Sequence, residues 1–422
     1  MKNLLLPIIA LLSIAITFTS CLEDKCDATT EFVRYDPVYL TLAQIRSTVT
    51  LEAPRALEEP GRLYLYKDYL FINEQAHGIH IYDNSDPSNP VDIGFYGIVG
   101  NFDLSIKDDI LYADNVLDII SLDISNIQAP QLIHREENAF EKYDWNGTYL
   151  SYYNKSDVVE VLDCNDDAFG SEIFWRGDVL FANNAESSVI DAVDFDGGGS
   201  SNIGTGGSTA RFTIVGDYLY NVDQYNLMTW SIGSGFSRVN TQNIGWGVET
   251  IFPYKSNLFI GTESGMHIYD NSNPEMLVHL STFQHARACD PVVVEGNTAY
   301  VTLRNGSSCQ SFINQLDVID ITSLTNPTLI KTYPMSNPHG LSIRDNTLYI
   351  CEGDFGLKIF DASDSEKIDN NQLANITTIK STDVIALPDD RLLVIGSEGF
   401  YQYDVTDVND PKLLSLISVD QQ

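Results

Sequence analysis

Basic residues are scarce in this chain of 422 residues. Lys and Arg together number 24, whereas Asp and Glu number 59, which gives a formal net charge of -35 at pH 7. A surface this acidic repels the phosphate backbone of nucleic acid and the headgroups of anionic lipids, so we expect no nucleic-acid partner. The acidic residues form no long run and are spread through the predicted loops, as in a folded domain that faces water.

The sequence also lacks the motifs that identify common enzymes and metal sites. It contains no Walker-type loop, no HExxH and no GxSxG, and it has no CxxC or HxxxH spacing for zinc. The GTGGS stretch at 204–208 has no following lysine and is better explained as a flexible linker. The oxygen-rich segment 361–371 lacks the glycine and terminal glutamate of a calcium-binding EF-hand, so a capped turn is favoured there. We therefore predict no metal and no cofactor.

The N-terminus predicts export and a lipid anchor. Lys2 precedes an apolar run at 4–18, which is too short for a membrane span of about 20 residues and indicates a signal peptide over 1–20. The FTSC sequence at 18–21 resembles a bacterial lipobox, which implies acylation of Cys21, including palmitate, and cleavage before it. Cys21 would then join the protein to a membrane. An ordinary signal peptide with an incidental cysteine is the alternative.

The residues after the cleavage point indicate a location. The acidic LEDK at 22–25 resembles the export tag of surface lipoproteins in some Gram-negative bacteria. That resemblance implies an outer-membrane lipoprotein that is exposed at the cell surface.

Five cysteines remain besides Cys21, and they are Cys26, Cys164, Cys289, Cys309 and Cys351. Export implies an oxidising compartment in which disulfides persist, and the odd count leaves at least one free thiol. Cys289 and Cys309 flank two strand-like runs that should form a hairpin, so this pair is the predicted disulfide. Two buried free thiols are the alternative.

One peptide occurs twice in the chain. The sequence GIHIYDNSDPSNPVDIG at 78–94 is echoed by GMHIYDNSNPEMLVHL at 265–280. A polar turn followed by an apolar and aromatic run precedes each copy, and this unit occurs at 67–73, 108–114, 216–222, 255–261, 296–302, 345–351 and 389–395. From the turn to the next strand-ending aspartate, as from Asp109 to Asp123, most units count 14 or 15 residues. Asp, Asn and Gly tolerate the positive φ of tight hairpin turns, and the flanking Val, Ile, Tyr and Phe favour strands.

A proline-containing turn and a fourth short run complete each unit. Four antiparallel strands in about 40 residues are the size of a β-propeller blade, so the fold class is predicted to be an all-β propeller with four-stranded antiparallel blades. The strands LDVIDIT (316–322), LKIFDAS (357–363) and IHIYDNS (79–85) resemble the LVIVD repeat of bacterial secreted and surface propellers. The resemblance covers about 62–135 and 208–420, and it implies a fold but no catalytic residue.

The tract at about 140–207 is less regular than the rest. It contains further hairpin signals and then a Gly/Ser-rich stretch at 194–207, so we favour seven blades with an insertion there. Eight blades are the alternative. Residues 21–35 are predicted to be a lipidated tether, and 36–420 the propeller domain.

Propellers commonly bind ligands in the central funnel, near the start of each inner strand. The predicted funnel residues are Asp103, Arg211, Asp290 and His339, and Glu249, Arg287 and Asp383 lie in a matching repeat phase. Such a ring suits a polar ligand or an acid/base pair. Ion pairs between neighbouring blades are the alternative interpretation.

Two functions follow from these observations. The absence of a catalytic motif favours a non-enzymatic surface lipoprotein whose propeller binds a protein or a glycan. The alternative is a secreted hydrolase or lyase that acts on polysaccharide. That chemistry needs carboxylates, such as Asp103, Asp290 and Asp383, that converge in the funnel.

Overall fold

A computed structural model describes residues 27–163, 166, 173–182, 205–206, 209–263, 265–285, 291–304 and 313–419. These residues fall into two compact units. One unit lies within 1–36 and 154–185, and the other lies within 37–153 and 186–422.

The described elements are almost all strands. From the N-terminus these are β1 (Asp27–Thr41), helix α1 (Leu42–Ile45), β2 (Leu51–Glu52), β3 (Pro60–Tyr66), β4 (Tyr69–Glu74), β5 (Gly78–Asp83), β6 (Val91–Gly97), β7 (Leu104–Lys107), β8 (Ile110–Asn115), β9 (Asp118–Asp123), β10 (Gln131–Glu136), β11 (Asp144–Trp145), β12 (Thr148–Asp163), β13 (Ile173–Arg176), β14 (Val179–Ala182) and β15 (Thr205–Gly206). Next come β16 (Phe212–Val215), β17 (Tyr218–Val222), β18 (Asn226–Ser231), β19 (Ser237–Asn243), β20 (Phe252–Tyr254), β21 (Asn257–Thr262), β22 (Gly265–Asp270), β23 (Val278–Gln284), β24 (Val292–Glu295), β25 (Thr298–Leu303), β26 (Gln315–Asp320) and β27 (Thr328–Pro334). The last are β28 (Leu341–Arg344), β29 (Thr347–Cys351), β30 (Leu357–Asp361), a 3₁₀ turn (Ile368–Asn370), β31 (Gln372–Ile376), β32 (Ser381–Ala386), β33 (Arg391–Gly396), β34 (Gly399–Asp404) and β35 (Lys412–Ser418).

The larger unit contains seven blades within the described residues. Each blade is a meander of four consecutive antiparallel strands, namely β3–β6, β7–β10, β16–β19, β20–β23, β24–β27, β28–β31 and β32–β35, numbered here as blades one to seven. Blade one carries two additional strands, β15 beside β3 and β2 beside β6. The predicted propeller of four-stranded blades is therefore confirmed, with the favoured count of seven.

The smaller unit accounts for part of the tract that left the blade count open. Here β14 pairs antiparallel with both β1 and β13, with Ala182 opposite Val33 on one side and opposite Ile173 on the other. Phe32, Leu162 and Phe181 form its buried core. The strands β13 and β14 thus belong to a separate sheet, and they do not build an eighth blade.

The repeated spacing has a local cause in the hairpin of each blade. In blade two the turn residues Asp108 and Asp109 have positive φ values of 50° and 61°. The amide of Ile124, which follows the third strand, donates to the carbonyl of Asp109 at 2.8 Å. The same bond joins Ile321 to Asn297 in blade five, where the chain between them is longer. The bond therefore marks the same place in every blade, and the interval from turn to aspartate stays near 14 or 15 residues where no extra residues lie between the second and third strands.

In six of the seven blades the third strand ends in a turn-forming aspartate, whereas in blade three it ends in Ser231. The Oδ1 of Asp123 accepts the amide of Ser125 at 2.9 Å, as Asx turns require. Equivalent bonds occur at Asp83, Asp270, Asp320, Asp361 and Asp404. Hydrogen bonds from the residue two positions later lower the pKa of all six carboxyls, even though these side chains are solvated.

The blades bury one another's apolar faces. From blade one to blade seven, each innermost strand contacts the innermost strand of the next blade, in the six pairs β3–β7, β7–β16, β16–β20, β20–β24, β24–β28 and β28–β32. The ring closes between blades seven and one, where Leu63, Ile385 and Phe400 share one hydrophobic cluster and Leu57 forms a parallel bridge with Val419. Burial between neighbouring sheets is therefore the main stabilising contribution, because one blade alone would expose both faces. Within the described ranges, no helix has the length and apolar character that crossing a membrane requires.

Candidate functional site

A cavity of about 330 Å³ opens in the larger unit where the inner strands of six blades begin. Blades one and three to seven contribute to its wall, through the residues that precede each inner strand and the loops that follow the second strand. Its ionisable wall residues are Arg62, Arg211, Arg304, Glu249, Glu263, His339 and Asp383. Its volume lies near the lower end of the range of about 300–1,000 Å³ that is typical of small-molecule sites.

Some of the predicted funnel residues line the cavity and others do not. Arg211, His339, Glu249 and Asp383 lie on the cavity wall, whereas Asp103 does not. Asp290 and Arg287 lie outside the described residues. Of the three carboxylates on which the hydrolase or lyase interpretation depends, the described structure thus places only Asp383 at the cavity.

Asp103 joins blade two to blade three. Its side chain is buried, with 3% of the residue surface exposed. One carboxylate oxygen accepts the amide of Leu104 at 2.7 Å, and the other accepts the amides of Arg211 at 2.5 Å and Phe212 at 3.0 Å. Burial raises the pKa of Asp103, while the positive charge of Arg62 and these amides oppose the rise. The interpretation as a contact between blades therefore suits Asp103, although its partners are backbone amides.

Asp383 contacts Thr209, which lies shortly before the first strand of blade three. One oxygen accepts the amide of Val384 at 2.9 Å, and the other accepts the hydroxyl of Thr209 at 2.8 Å. Shortly before Thr209, β15 pairs with β3, the innermost strand of blade one. Residues 205–206 of the GTGGS stretch, for which we expected a linker, therefore form a paired strand on the axial side of blade one.

Arg62 is a wall residue that our reading of the sequence missed. It directly precedes Leu63 of β3, just as Asp103 precedes Leu104 and Arg211 precedes Phe212. Superposing the repeat on GRLYLY at 61–66 would have placed Arg62 in the funnel. Trp246 and Arg304 were also missed, because both lie in loops for which the repeat pattern predicts no position.

The cavity changes the acid–base properties of its basic groups. Burial lowers the pKa of Arg211, and the nearby positive charge of Arg62 lowers it further, whereas the negative charge of Glu249 raises it. Burial and the charge of Arg304 lower the pKa of His339 to about 3. The imidazole of His339 is therefore neutral at physiological pH, and its buried Nε2 has no hydrogen-bond partner.

Burial also raises the pKa of two groups that do not line the cavity. It raises the pKa of Asp114 to about 6, although the amides of Asp103 and Phe102 donate to this carboxyl. Cys351, a free cysteine in the described residues, is buried, and burial raises the pKa of its thiol. Cys289 and Cys309 lie outside the described residues, as do Cys21, Cys26 and Cys164, so the disulfide and the lipidation remain predictions.

Two equivalent histidines of the echoed peptide have protein partners. The Nε2 of His80 lies 2.9 Å from Glu74, and the Nδ1 of His267 lies 2.7 Å from the hydroxyl of Thr282. Across the part of the chain that the structure describes, no three His, Cys, Asp or Glu side chains are grouped so that they could hold a metal ion.

Comparison with known structures reveals the same architecture. A protein from Lactobacillus plantarum is 11% identical, with a TM-score of 0.54, over 85% of this chain and 96% of its own. The computationally designed Ika8 protein is 10% identical, with a TM-score of 0.50, over 87% of this chain and 90% of its own. At such low identity these similarities show the fold alone.

Comparison of sequences identifies the repeat. No curated protein sequence matches the chain. The LVIVD repeat matches residues 61–97, which contain β3–β6, and residues 286–334, which contain β24–β27. The chain is therefore a β-propeller that carries LVIVD repeats, with one matched repeat in blade one and the other in blade five.

Proposed function

We propose that this propeller is a non-enzymatic outer-membrane lipoprotein, anchored through acylated Cys21 and exposed at the cell surface, and that its central cavity binds a glycan. The observation that carries the choice of ligand is Trp246, which lies on the cavity wall with 52% of its surface exposed. The flat apolar face of an indole suits the CH face of a sugar ring.

The polar groups around Trp246 support the same ligand class. Gln75, Gln224 and Glu263 also line the cavity. Amides both donate and accept hydrogen bonds and carboxylates accept them, so together they complement sugar hydroxyls. A few convergent polar groups beside an aromatic surface are typical of small-molecule sites, and a cavity of about 330 Å³ suits the end of a glycan chain.

Glycan binding can be tested with the full chain on a glycan array. We expect Trp246→Ala to abolish the signal and Trp145→Ala to preserve it. Trp145 is a matched control, since it is 56% exposed but does not line the cavity. Equal loss of signal in both variants, or no glycan binding at all, would contradict the proposal. A protein captured from the cell surface in a Trp246-dependent manner would then favour a protein ligand.

The same array separates binding from catalysis. Prolonged incubation should leave a bound glycan intact when its fragments are measured by mass spectrometry. Accumulation of shortened glycans would support the alternative, a polysaccharide hydrolase or lyase.

The anchor can be tested in cells. An alkyne analogue of palmitate should label the wild-type protein and not Cys21→Ser, and only the wild type should sediment with the outer membrane. Protease added to intact cells should remove the propeller if it faces the medium. Labelling of Cys21→Ser, or full protection from protease, would contradict the anchor or the surface location respectively.

A further inference from the structure

Basic side chains are concentrated at the cavity of an otherwise acidic protein. Arg62 of blade one, Arg211 of blade three and Arg304 of blade five all line it, although the whole chain has only 24 Lys and Arg against 59 Asp and Glu. Because three non-adjacent blades supply these arginines, their meeting depends on the closed propeller.

Two of these arginines have unused donors. The Nε atoms of Arg62 and Arg211 are buried and have no hydrogen-bond partner. A buried donor without a partner loses hydration and gains nothing in return, which typically costs about 1–3 kcal/mol and more for a charged group. Buried polar groups in proteins are nearly always paired, so each unpaired donor needs an explanation, and at a cavity wall a bound ligand can supply the acceptor.

The two guanidinium groups also repel each other. The charge of Arg62 lowers the pKa of Arg211 beyond the effect of burial. The negative charges of Glu249 and Asp103 offset part of this repulsion, and the two carboxylate oxygens of Asp103 already accept three backbone amides. A negative group between Arg62 and Arg211 would relieve the repulsion and pair the unused donors.

We propose that Arg62 and Arg211 form an anion subsite that binds the carboxylate of an acidic sugar, a uronic acid. This inference rests on the proposed function, because it names the class of glycan that enters the cavity. The planar guanidinium matches a planar carboxylate with two parallel hydrogen bonds. The sugar ring then faces Trp246, and its hydroxyls face the amides and carboxylates of the wall.

The acidic part of the wall favours a singly charged group. Glu249, Glu263 and Asp383 share the cavity with the arginines. A phosphate carries up to two negative charges at neutral pH, and these carboxylates repel it more strongly than they repel a uronate. A sulfate ester has the same single charge as a carboxylate but a tetrahedral shape, so experiment has to separate the two.

Calorimetric titration of the full chain tests this inference. The ligands are a galacturonate oligosaccharide, its neutral galactose counterpart and a sulfated galactose oligosaccharide of equal length. We expect the uronate to bind at least tenfold more tightly than the other two, and its affinity to fall as salt is added. Arg62→Gln and Arg211→Gln should each weaken uronate binding at least tenfold, whereas Arg344→Gln, on the inner strand β28 but away from the cavity, should not.

Thermal unfolding provides a second measurement that separates binding from folding. Because the Nε donors are unpaired, Arg211→Gln should leave the unliganded protein at least as stable as wild type and should abolish the stabilisation by uronate. A variant that fails to fold would contradict this expectation, since it would give Arg211 a structural role.

The outcomes also separate this inference from the proposed function. Equal binding of neutral and acidic glycans, dependent on Trp246 and unaffected by the arginine variants, would overturn the uronate subsite and leave the glycan site standing. Preference for the sulfated ligand would overturn the carboxylate assignment. Absence of binding to all three ligands would overturn the uronate subsite. The glycan array would then show whether the cavity binds any other glycan.

Discussion

The side-chain amides of Asn84 and Gln402 pair with each other although 318 residues separate them in the sequence. The Nδ2 of Asn84 donates to the Oε1 of Gln402 at 3.1 Å, and the Nε2 of Gln402 donates to the Oδ1 of Asn84 at 2.6 Å. Gln402 also donates to the carbonyl of Pro87 at 3.1 Å, and its exposed fraction is 0%. This pair joins blade seven to blade one, so it exists only when the ring is closed.

Breaking this pair should destabilise the propeller. Gln402→Ala leaves the buried side-chain amide of Asn84 without its partner, whereas the Pro87 carbonyl still accepts the hydroxyl of Ser415 at 2.7 Å. We expect a loss of about 1–3 kcal/mol in the free energy of unfolding. Urea denaturation followed by tryptophan fluorescence measures it. Gln372→Ala, on an exposed position of the outer strand β31, is the control and should change stability little.

The double variant tests whether the two amides act together. If they do, Asn84→Ala in the Gln402→Ala background should cost less than in the wild type, with a coupling energy of about 0.5–3 kcal/mol. Strictly additive losses would show that each amide acts through other neighbours.

Removing the Asp103 carboxylate should loosen the junction of blades two and three. Asp103→Ala leaves the amides of Leu104, Arg211 and Phe212 without an acceptor, so we expect a loss of about 2–4 kcal/mol by urea denaturation. Asp103→Asn should lose less, because one oxygen remains. Asp68→Ala, at an exposed position of the turn between β3 and β4, is the control. A wild-type stability for Asp103→Ala would mean that the junction depends on apolar packing alone.

Asp114 should make the free energy of unfolding fall as the pH rises, which is the opposite of the effect of a carboxylate whose pKa folding lowers. Its folded pKa is about 6, whereas an unfolded aspartate has a pKa of about 4, so the folded state binds a proton more readily. This carboxyl therefore destabilises the fold fully above about pH 6, and the penalty disappears as the pH falls towards 4. Asp114→Asn keeps an Oδ1 acceptor for the amides of Phe102 and Asp103.

The variant should consequently be more stable than wild type at pH 7.5, by at most about 3 kcal/mol, and equal to it near pH 4. Urea denaturation at several pH values measures the difference. A constant difference across this range would show that Asp114 titrates normally.

Asp270 should act through its Asx turn. Its Oδ1 accepts the amide of Ser272 at 2.8 Å, and hydrogen bonds from the hydroxyl and amide of Ser272 lower its pKa. Asp270→Ala should reduce the thermal unfolding midpoint, whereas Asp270→Asn, which keeps an acceptor, should reduce it less. Because the folded pKa is depressed, the contribution of the charge is present above about pH 4 and is lost as the pH falls through the folded pKa. Equal midpoints for wild type and Asp270→Ala at neutral pH would contradict a role for this turn.

Local chemistry made the blade predictable. The positive φ of Asp108 and Asp109, the amide of Ile124 on the turn carbonyl and the Asx turn at Asp123 all lie within the first three strands of one blade. Each of these interactions joins residues that are close in the sequence, so each leaves a visible period. The same reasoning did not predict the strand at 205–206, because Thr205 pairs with Leu65 of β3, which is distant in the sequence.

The repeat pattern does not predict which side chains line the cavity. Arg62, Asp103 and Arg211 occupy the same position of the repeat, yet Arg62 and Arg211 line the cavity while Asp103 turns to the amides of the next blade. The amino-acid sequence by itself determined the strands and their turns, because hairpin hydrogen bonds and Asx turns are local. It left seven and eight blades open, and the count of seven followed from the pairing of β14 with β1 and β13 in a separate sheet. Only the tertiary structure decided which side chains meet at the axis, because the blades that supply them come together when apolar faces pack around a closed ring.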